Sequence, residues 1–256
     1  MKDYLNGRWR SLLAYNGLDG FDALWALELP WFEAPNQRRG GWSGVARCEL
    51  HDAEGHRHAF FLKRQENHGT FSWRHPFKGI PTFEREFRLI RRYQAGTIPA
   101  LTPAYYASRF TATGHRAILM TEALDGYRPL DEVAPGSKLP AAVRRNLLRT
   151  VALLTRKIHD SHIQHNCYYP KHVFVRIAAD QSVKAHAIDL EKSRWRPVKF
   201  FCTLRDLDTL NRYSSGWTMA DRVRFFKYYL RIENLTPYAK WLWRRLAAQA
   251  LKKNLS

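Results

Sequence analysis

The sequence predicts an α+β fold, with strands gathered in the first half of the chain and helices in the second. Short apolar and aromatic runs bounded by turn residues occupy residues 44–64 and 105–121, on either side of one helical segment. After residue 140, apolar residues recur mostly at helical spacing. Because strands and helices are segregated rather than alternating, this order favours α+β over a parallel α/β sheet.

The first half begins with a leucine-containing segment and continues as strands. Glycines and a proline break the apolar pattern of residues 1–36, which predicts a short irregular lead-in. One helix follows, with Phe83, Phe87, Ile90 and Tyr93 at helical spacing and a glycine stop at position 96. The predicted strands around it are residues 44–50, 58–64, 105–110 and 116–121.

A stretch rich in glycine and proline, residues 125–140, separates the two halves. We place a boundary at its start, which gives an N-terminal lobe of residues 1–123 and a C-terminal lobe of residues 124–256. Next comes a long amphipathic helix whose apolar face carries Val143, Leu147, Val151, Leu154 and Ile158. A hairpin of residues 173–177 and 184–189 follows, and helical segments run from about residue 204 to the end.

Composition narrows the class of protein. An apolar share of 45% in 256 residues supports a packed core and excludes global disorder. No apolar run reaches the roughly 18 residues of a membrane span, and the charged N-terminus lacks a secretory signal. Three scattered cysteines fit neither a disulfide framework nor a zinc site. We therefore expect a cytosolic protein with reduced thiols.

The net charge of +19 points to a polyanionic partner. Residues 124–256 carry 25 basic and 11 acidic side chains, and from Arg222 onward nine basic residues are interleaved with aromatic ones. Three interpretations of this tail stay open: a solvated basic face over an aromatic core, contact with an anionic membrane or lipid, and nucleic-acid binding.

Candidate groups for phosphoryl transfer occur in order along the chain. Small residues at 40–44 precede a strand, where backbone N–H groups can approach phosphates, although an ordinary glycine turn explains them equally. Lys63 closes the next strand, and Glu84 or Glu86 on the following helix can reach it; Glu86 is our choice. By spacing alone each of these glutamates is a surface charge.

The stronger pattern lies downstream. A helix ends at residue 160, a polar loop of residues 161–172 follows, and Asp189 closes a later strand. A polar loop between helix and strand, then an aspartate at a strand end, is how kinase-like folds present catalytic and metal-binding groups.

With these features the chain resembles the lipopolysaccharide kinases of the Gram-negative envelope: the InaA-type proteins and their relatives, the core heptose kinases and the Kdo kinases. The resemblance runs from about residue 40 to residue 229. It is carried by FLK at 61–63, REF at 85–87, ILMTEAL at 118–124, the loop 165–172, IDLE at 188–191 and RDLDTLNRYSS at 205–215.

This resemblance implies a bilobal protein-kinase-like fold with a small β-rich N-lobe and a helical C-lobe. ATP and Mg²⁺ would bind in the cleft, and the γ-phosphate would pass to a sugar hydroxyl of the lipopolysaccharide core or of a lipid-linked acceptor. It also implies a peripheral cytosolic enzyme at the anionic inner-membrane face. Two alternatives stay open: a pseudokinase that binds nucleotide or lipopolysaccharide, and, on charge alone, a nucleic-acid-binding protein.

The resemblance also implies roles for single residues. Lys63 would contact the α- and β-phosphates and pair with Glu86. Asp189 would bind the metal, His172 would take the place of the second, asparagine ligand of most kinases, and Asp206 would form structural hydrogen bonds. The remaining implied nucleotide contacts are Gly40, Gly41, Ser43 and Gly44 over the phosphates, and Thr121 and Glu122 beside the adenine.

One departure concerns the catalytic loop. Aligning His165 and His172 with the kinase pattern leaves Cys167 where the aspartate that accepts the substrate proton belongs. A neutral thiol is a poor acceptor, and a thiolate needs a lowered pKa. Three interpretations stay open: Cys167 is tolerated, a neighbour acts instead, or transfer is absent. The neighbours in question are Asp160, His165 and Glu191.

The remaining histidines and cysteines are expected to be structural. His51, His56 and His58 surround one turn, and His159, His162 and His165 are spaced three apart. Without ligands at zinc spacing, we predict loop and surface histidines. Cys48 and Cys202 are predicted to be small buried apolar residues, and most tryptophans to pack in the core.

Overall fold

The computed structural model describes residues 3–37, 40–72, 75–133 and 139–254. Within these ranges it describes the side chains of all residues except 71–78 and 249–254. The predicted Gly- and Pro-rich stretch lies partly outside these residues, at 134–138. The chain packs as two compact units: Met1–Arg92 with Leu101–Asp125, and Tyr93–Ala100 with Gly126–Ser256. The second unit thus takes in Tyr93–Ala100, which the predicted division at residue 124 assigns to the N-terminal lobe.

The first unit is built on a five-stranded antiparallel sheet. Its strands are β1 (Tyr4–Leu5), β2 (Trp42–His51), β3 (Arg57–Glu66), β6 (Pro103–Thr111) and β7 (Gly114–Glu122), in the spatial order β1-β6-β7-β3-β2. A separate hairpin, β4 (Gly69–Ser72) and β5 (His75–Pro81), precedes the helix α3 (Thr82–Ala95). The sequence pattern did not indicate this hairpin.

The N-terminal lead-in is ordered, which corrects the prediction of an irregular segment. It forms β1, the helices α1 (Arg10–Tyr15) and α2 (Phe21–Ala26), and a 3₁₀ turn between β1 and α1. Leu13 and Leu24 are fully buried in a cluster with Phe60 and Leu62 of β3. The reason is that one face of the sheet is apolar and needs a cover, which these short helices supply.

The opposite face of the sheet packs against α3. Phe87 of this helix stacks on Tyr106 of β6 with ring centroids 4.5 Å apart, and its other contacts include Tyr4 of β1. Since side chains alternate along a strand, Phe60 and Leu62 point to one face and Lys63 to the other, toward α3. The sheet therefore separates an apolar core from the face that carries Lys63.

The second unit is mainly helical. Its helices are α4 (Leu130–Val133), α5 (Ala141–Asp160), α6 (Lys199–Tyr213), α7 (Met219–Leu230) and α8 (Pro237–Asn254). All five predicted apolar-face residues of α5 are buried, which confirms that helix. Arg144 near the start of α5 binds Asp221 of α7 through Nη2 and Oδ2 at 2.6 Å, and Asp221 also forms a capping box with Thr218.

Short strands complete the second unit. They are β8 (Arg128–Pro129), β9 (Ile163–Gln164), β10 (Val173–Ile177), β11 (Val183–Ala187) and β12 (Arg194–Trp195). The strands β10 and β11 form the predicted antiparallel hairpin, with β8 on the other side of β10, and β9 pairs with β12. The predicted α+β class is confirmed, because the large sheet belongs to the first unit and most helices to the second. None of the helices among the described residues has the length and apolar character that a membrane crossing requires.

Candidate active site

Lys63 and Glu86 form a buried ion pair in the first unit. Lys63 lies on β3 opposite Val45 and Leu119, and its Nζ donates to Glu86 Oε1 at 2.7 Å and to Oε2 at 2.9 Å. The Glu86 side chain is 2% exposed and that of Lys63 is 17% exposed. Glu86 therefore holds the ammonium group in place, while part of it stays accessible to an anion.

Glu84 has a different set of partners. It pairs with Arg88 one turn further along α3. Burial raises the pKa of the Tyr106 hydroxyl, and the charge of Glu84 adds to this rise. Both Glu84 and Glu86 are buried, so the prediction that spacing makes them surface charges was wrong. Two residues apart on α3, they point to different sides, and only Glu86 meets Lys63.

Packing explains part of the small-residue segment before and within β2. A Cβ atom on Gly41 would lie 2.1 Å from the backbone oxygen of Glu66, and one on Gly44 would lie 2.5 Å from the ring of Trp31. The Ser43 N–H donates to the Asn36 oxygen at 3.0 Å, so a local backbone partner already uses it. Gly40 has φ +77, a conformation that favours glycine. The predicted phosphate contacts of these four residues stay a prediction.

The predicted hinge residues end β7. Thr121 is buried and lies opposite Phe61 of β3. The Glu122 N–H donates to the Thr102 oxygen at 2.8 Å, and its carboxylate lies 3.8 Å from Arg8. Their predicted position beside an adenine stays a prediction.

In the second unit, one buried carboxylate holds the loop of residues 165–172. Asp206 of α6 accepts the His165 N–H at 2.6 Å through Oδ2 and the Asn166 N–H at 2.9 Å through Oδ1. His159 Nε2 lies 3.2 Å from the same Oδ2. Asn166 adopts φ 68, so these bonds stabilise a backbone conformation that is unusual outside glycine. The predicted structural hydrogen-bonding role of Asp206 is confirmed.

His165 is wholly buried and contacts backbone rather than solvent. Its Nε2 lies 2.9 Å from the oxygen of Ile188, which can only accept, so Nε2 carries the proton. Burial lowers the pKa of His165, which favours the neutral ring. Ile188 directly precedes Asp189, so His165 positions the segment that presents this carboxylate.

His159 and His165 correct the prediction of surface histidines, since they are 2% and 0% exposed. His159 Nδ1 hydrogen-bonds the Tyr229 hydroxyl at 2.9 Å, which joins Asp206 to α7. Ala152, Thr155 and His159 share a buried face of α5 at spacings of three and four, a signal that periodicity analysis can find. The histidines around the β2–β3 turn do lie at the surface or only partly buried, as predicted, and Cys48 and Cys202 are buried as predicted.

Asp189 and His172 lie side by side. The predicted strand through residue 189 ends earlier, at Ala187, and Asp189 turns into the left-handed region with φ 58. His172 Nδ1 donates to the Cys167 oxygen at 2.8 Å and lies 3.5 Å from Asp189 Oδ2. In the neutral form of a ring whose Nδ1 donates in this way, Nε2 keeps its lone pair. The Asp189 side chain is 35% exposed and can reach a ligand.

The Cys167 thiol is protonated at neutral pH. Burial raises its pKa, and the charges of Asp189, Glu191 and Asp206 add to this rise, while Lys192 opposes it. The thiolate that could orient a hydroxyl is therefore disfavoured. Cys167 contributes its carbonyl oxygen instead, as the acceptor for His172.

The three neighbours proposed as stand-ins differ in availability. His165 is buried and its proton is used by Ile188. Asp160 pairs with Arg156 at 3.0 Å and Lys199 at 3.4 Å; burial opposes these cations, but they lower its pKa. Glu191 is partly exposed in the 3₁₀ turn after Asp189.

The donor set at Asp189 and His172 fits a divalent cation bound together with phosphate. One carboxylate and one imidazole leave most coordination positions to phosphate oxygens and water, as is usual for Mg²⁺ at phosphoryl-transfer sites. Among the described residues, the group of three possible ligands that lie close together is elsewhere: Asp52, Glu54 and His56, in the β2–β3 turn.

Comparisons with known proteins found a family model, a relative and a solved structure that are similar to this chain. The family model described as "Lipopolysaccharide kinase (Kdo/WaaP) family" matches residues 22–229. Protein InaA of Escherichia coli (strain K12) is 33% identical over 216 residues, which cover 82% of this chain and 95% of InaA. A solved structure of WaaP in complex with acyl carrier protein is similar in fold, with a TM-score of 0.69 and 22% identity over 98% of this chain and 99% of WaaP. The fold is thus kinase-like, and the chain belongs to the lipopolysaccharide kinase (Kdo/WaaP) family.

Proposed function

We propose that this protein transfers the γ-phosphoryl group of ATP to a sugar hydroxyl of the lipopolysaccharide inner core. The observation that carries the proposal is the Lys63–Glu86 pair, because a lysine held by a buried carboxylate is the phosphate-binding element of kinases. Family membership supports the reaction class, and the acceptor is inferred from the family.

Each unit contributes different groups. In the first unit, Lys63 binds the α- and β-phosphates, with the segment 40–44 near them and residues 121–122 near the adenine. In the second unit, Asp189 and His172 Nε2 hold the cation. When bound, Mg²⁺ neutralises the charge on the phosphates.

The acceptor oxygen forms a bond to the γ-phosphorus, the bond from phosphorus to the β-bridging oxygen breaks, and the acceptor proton passes to solvent. Transition states of this kind are loose, so positioning and charge neutralisation supply most of the catalysis. A neutral Cys167 is compatible with such a reaction, which makes the tolerated-cysteine interpretation our choice over a stand-in base. General-base help contributes about 10²–10⁴-fold, so we expect slow turnover.

The test is transfer of labelled γ-phosphate to purified lipopolysaccharide core oligosaccharide. We expect Lys63→Ala and Asp189→Ala to abolish transfer. The thermal stability of each variant is measured to check that it is folded. The matched controls, Lys184→Ala and Asp180→Ala on the exposed β10–β11 hairpin, should retain it. Unchanged turnover in the Lys63 and Asp189 variants overturns the enzyme proposal, and nucleotide binding without any transfer supports the pseudokinase alternative.

Cys167→Asp tests the role of the thiol. A carboxylate at this position supplies a better proton acceptor, so we expect faster transfer, limited by the neighbouring charges of Asp189 and Glu191. Cys167→Ser should retain the wild-type rate because the loop uses the backbone oxygen of residue 167. A large loss of the transfer rate in both variants would show that the thiol acts directly in the reaction.

We also propose that the second unit meets the anionic, cytoplasmic face of the inner membrane. A groove of about 970 Å³ between α5 and α7 has apolar residues in its lining, with Leu153 37% and Met219 66% exposed. Four cationic side chains border it: Arg149, Arg224, Lys227 and Arg231. Phe225, Phe226 and Tyr229 of the basic tail are buried, so core packing accounts for these three aromatic residues.

Sedimentation with vesicles tests this contact. We expect binding to vesicles that contain phosphatidylglycerol, little binding to phosphatidylcholine alone, and loss of binding at high salt. Arg224→Glu with Lys227→Glu should weaken it, while Arg57→Glu on β3 of the first unit should not. Salt-dependent binding to duplex or single-stranded nucleic acid, with none to vesicles, would favour the nucleic-acid alternative.

A further inference from the structure

An aromatic pair, of which one ring is exposed and the other partly buried, adjoins the His172 and Asp189 site. Tyr213, the last residue of α6, is 50% exposed, and its ring meets the ring of Tyr169 edge-on at 4.8 Å. The ring of Tyr169 in turn meets the His172 ring at a right angle, with centroids 5.6 Å apart. The aromatic surface is therefore continuous with the residue that lies 3.5 Å from Asp189.

Beside this pair is a small recess lined by Asp131 of α4, Pro170, Tyr213, Ser215 and Gly216. Asp131 Oδ1 is shielded from bulk water and has no hydrogen-bond partner within the described residues. A shielded carboxylate oxygen without a donor is unfavourable, and such groups are rare in native proteins unless a ligand or water meets them.

The Tyr213–Gly216 turn is firmly held. The Ser214 hydroxyl donates to the Leu210 oxygen at 2.7 Å, and Arg222 Nη2 donates to the Ser214 oxygen at 2.7 Å. The Arg212 guanidinium lies 5.1 Å from the centre of the Tyr213 ring. Tyr213 is thus a preorganised exposed ring with a cation beside it.

A sugar fits this combination better than a peptide or a nucleotide base does. Pyranose rings have an apolar C–H face that packs on an aromatic ring and hydroxyl edges that donate to carboxylates. The recess has about 10 Å³ of free space, far less than the roughly 300–1,000 Å³ of small-molecule pockets, so it takes a single hydroxyl group while the sugar ring lies across Tyr213.

We propose that Tyr213, Tyr169 and Asp131 form the acceptor subsite, in which the core sugar stacks on the tyrosine pair and donates a hydroxyl to Asp131. The inference rests on the proposed function for the identity of the acceptor. The binding itself needs neither ATP nor transfer, so it can be measured separately.

The experiment measures binding of purified lipopolysaccharide core oligosaccharide by calorimetry, without nucleotide. We expect Tyr213→Ala and Asp131→Asn each to raise the Kd about tenfold, and Tyr213→Phe, which keeps the ring, to raise it less than threefold. The matched control is Tyr238→Ala on α8, where the side chain is 57% exposed, and it should leave the Kd unchanged. Nucleotide affinity and thermal stability should be unchanged in all four variants.

Steady-state transfer supplies the second readout, in which Tyr213→Ala and Asp131→Asn raise the KM for the acceptor and not that for ATP. Oligosaccharide binding that depends on Tyr213 without any transfer supports the subsite and overturns the proposed function. Transfer with an unchanged acceptor KM in both variants overturns the subsite and leaves the function standing. Absence of oligosaccharide binding to the wild-type protein also overturns the subsite.

Discussion

The Lys63–Glu86 pair allows a sharp test, because removing one partner should be more harmful than removing both. Lys63→Met leaves the Glu86 carboxylate buried without its donor, and Glu86→Leu leaves the ammonium of Lys63 without its acceptor. The double variant replaces both charges with apolar side chains of similar size. Replacing a buried pair in this way is often nearly neutral, whereas breaking it costs about 3–5 kcal/mol.

The exposed fractions of the two side chains determine which single variant loses more stability. Glu86 is 2% exposed and Lys63 17%, so an orphaned Glu86 has less access to water than an orphaned Lys63. We expect Lys63→Met to lower the free energy of unfolding by about 3–4 kcal/mol and Glu86→Leu by about 2–3 kcal/mol. The double variant should be more stable than Lys63→Met alone. These losses are a large share of a total of about 5–15 kcal/mol.

Urea denaturation followed by tryptophan fluorescence gives the four free energies of the cycle. The control cycle uses Arg57 and Glu49, an exposed pair on the same sheet at 3.2 Å, where coupling should stay within about 1 kcal/mol. Additivity of the Lys63 and Glu86 effects within about 0.5 kcal/mol would refute the argument that these charges are held together out of water.

Three further predictions concern the second unit. Asp206→Ala removes the acceptor for two backbone N–H groups, those of His165 and Asn166. It should lower the free energy of unfolding, measured by urea denaturation, by about 3–5 kcal/mol. A loss below about 1 kcal/mol contradicts the role of Asp206 in holding the loop. The hydrogen bond from Arg144 lowers the pKa of Asp221 to about 2, so the contribution of the Asp221 carboxylate to stability is complete above the unfolded value near 3.8 and disappears as the pH falls toward 2. The Tm of Asp221→Asn should therefore lie below that of wild type at pH 6 and approach it near pH 2. A difference in Tm that stays constant with pH contradicts this argument. An imidazole ligand favours Mn²⁺ over Mg²⁺. If His172 is a ligand, His172→Asn should bring the affinities of the protein for Mn²⁺ and Mg²⁺ closer together, as measured by calorimetry with a non-hydrolysable ATP analogue. An unchanged ratio of these two affinities counts against His172 as a ligand.

Local patterns predicted the elements whose signals are long. The buried face of α5 and the β10–β11 hairpin follow from apolar periodicity, which depends on near neighbours alone. The helices α1 and α2 have six residues each, too few to show a helical period, and their burial depends on a sheet formed by residues far along the chain. That is why the lead-in was predicted as irregular.

The features of the candidate site also divide into those that the sequence predicts and those that depend on tertiary packing. The order of Lys63, Glu86 and Asp189 along the chain is a sequence property and is enough for the resemblance to a kinase family. The choice between Glu84 and Glu86, and the burial of both, depend on how α3 rotates against the sheet. The segment 40–44 shows a related difference, since Gly44 is explained by the ring of Trp31, a contact that no motif contains.

By itself the sequence determined the fold class, the family and the order of the candidate site residues, because these depend on composition, periodicity and short motifs. The tertiary structure decided the chemical state of those residues. Cys167 keeps its proton because burial and three nearby carboxylates oppose its ionisation, and His165 turns its proton to the backbone beside Asp189. Protonation and hydrogen bonding follow from distances between residues that are remote in sequence, and only the folded chain brings these residues together.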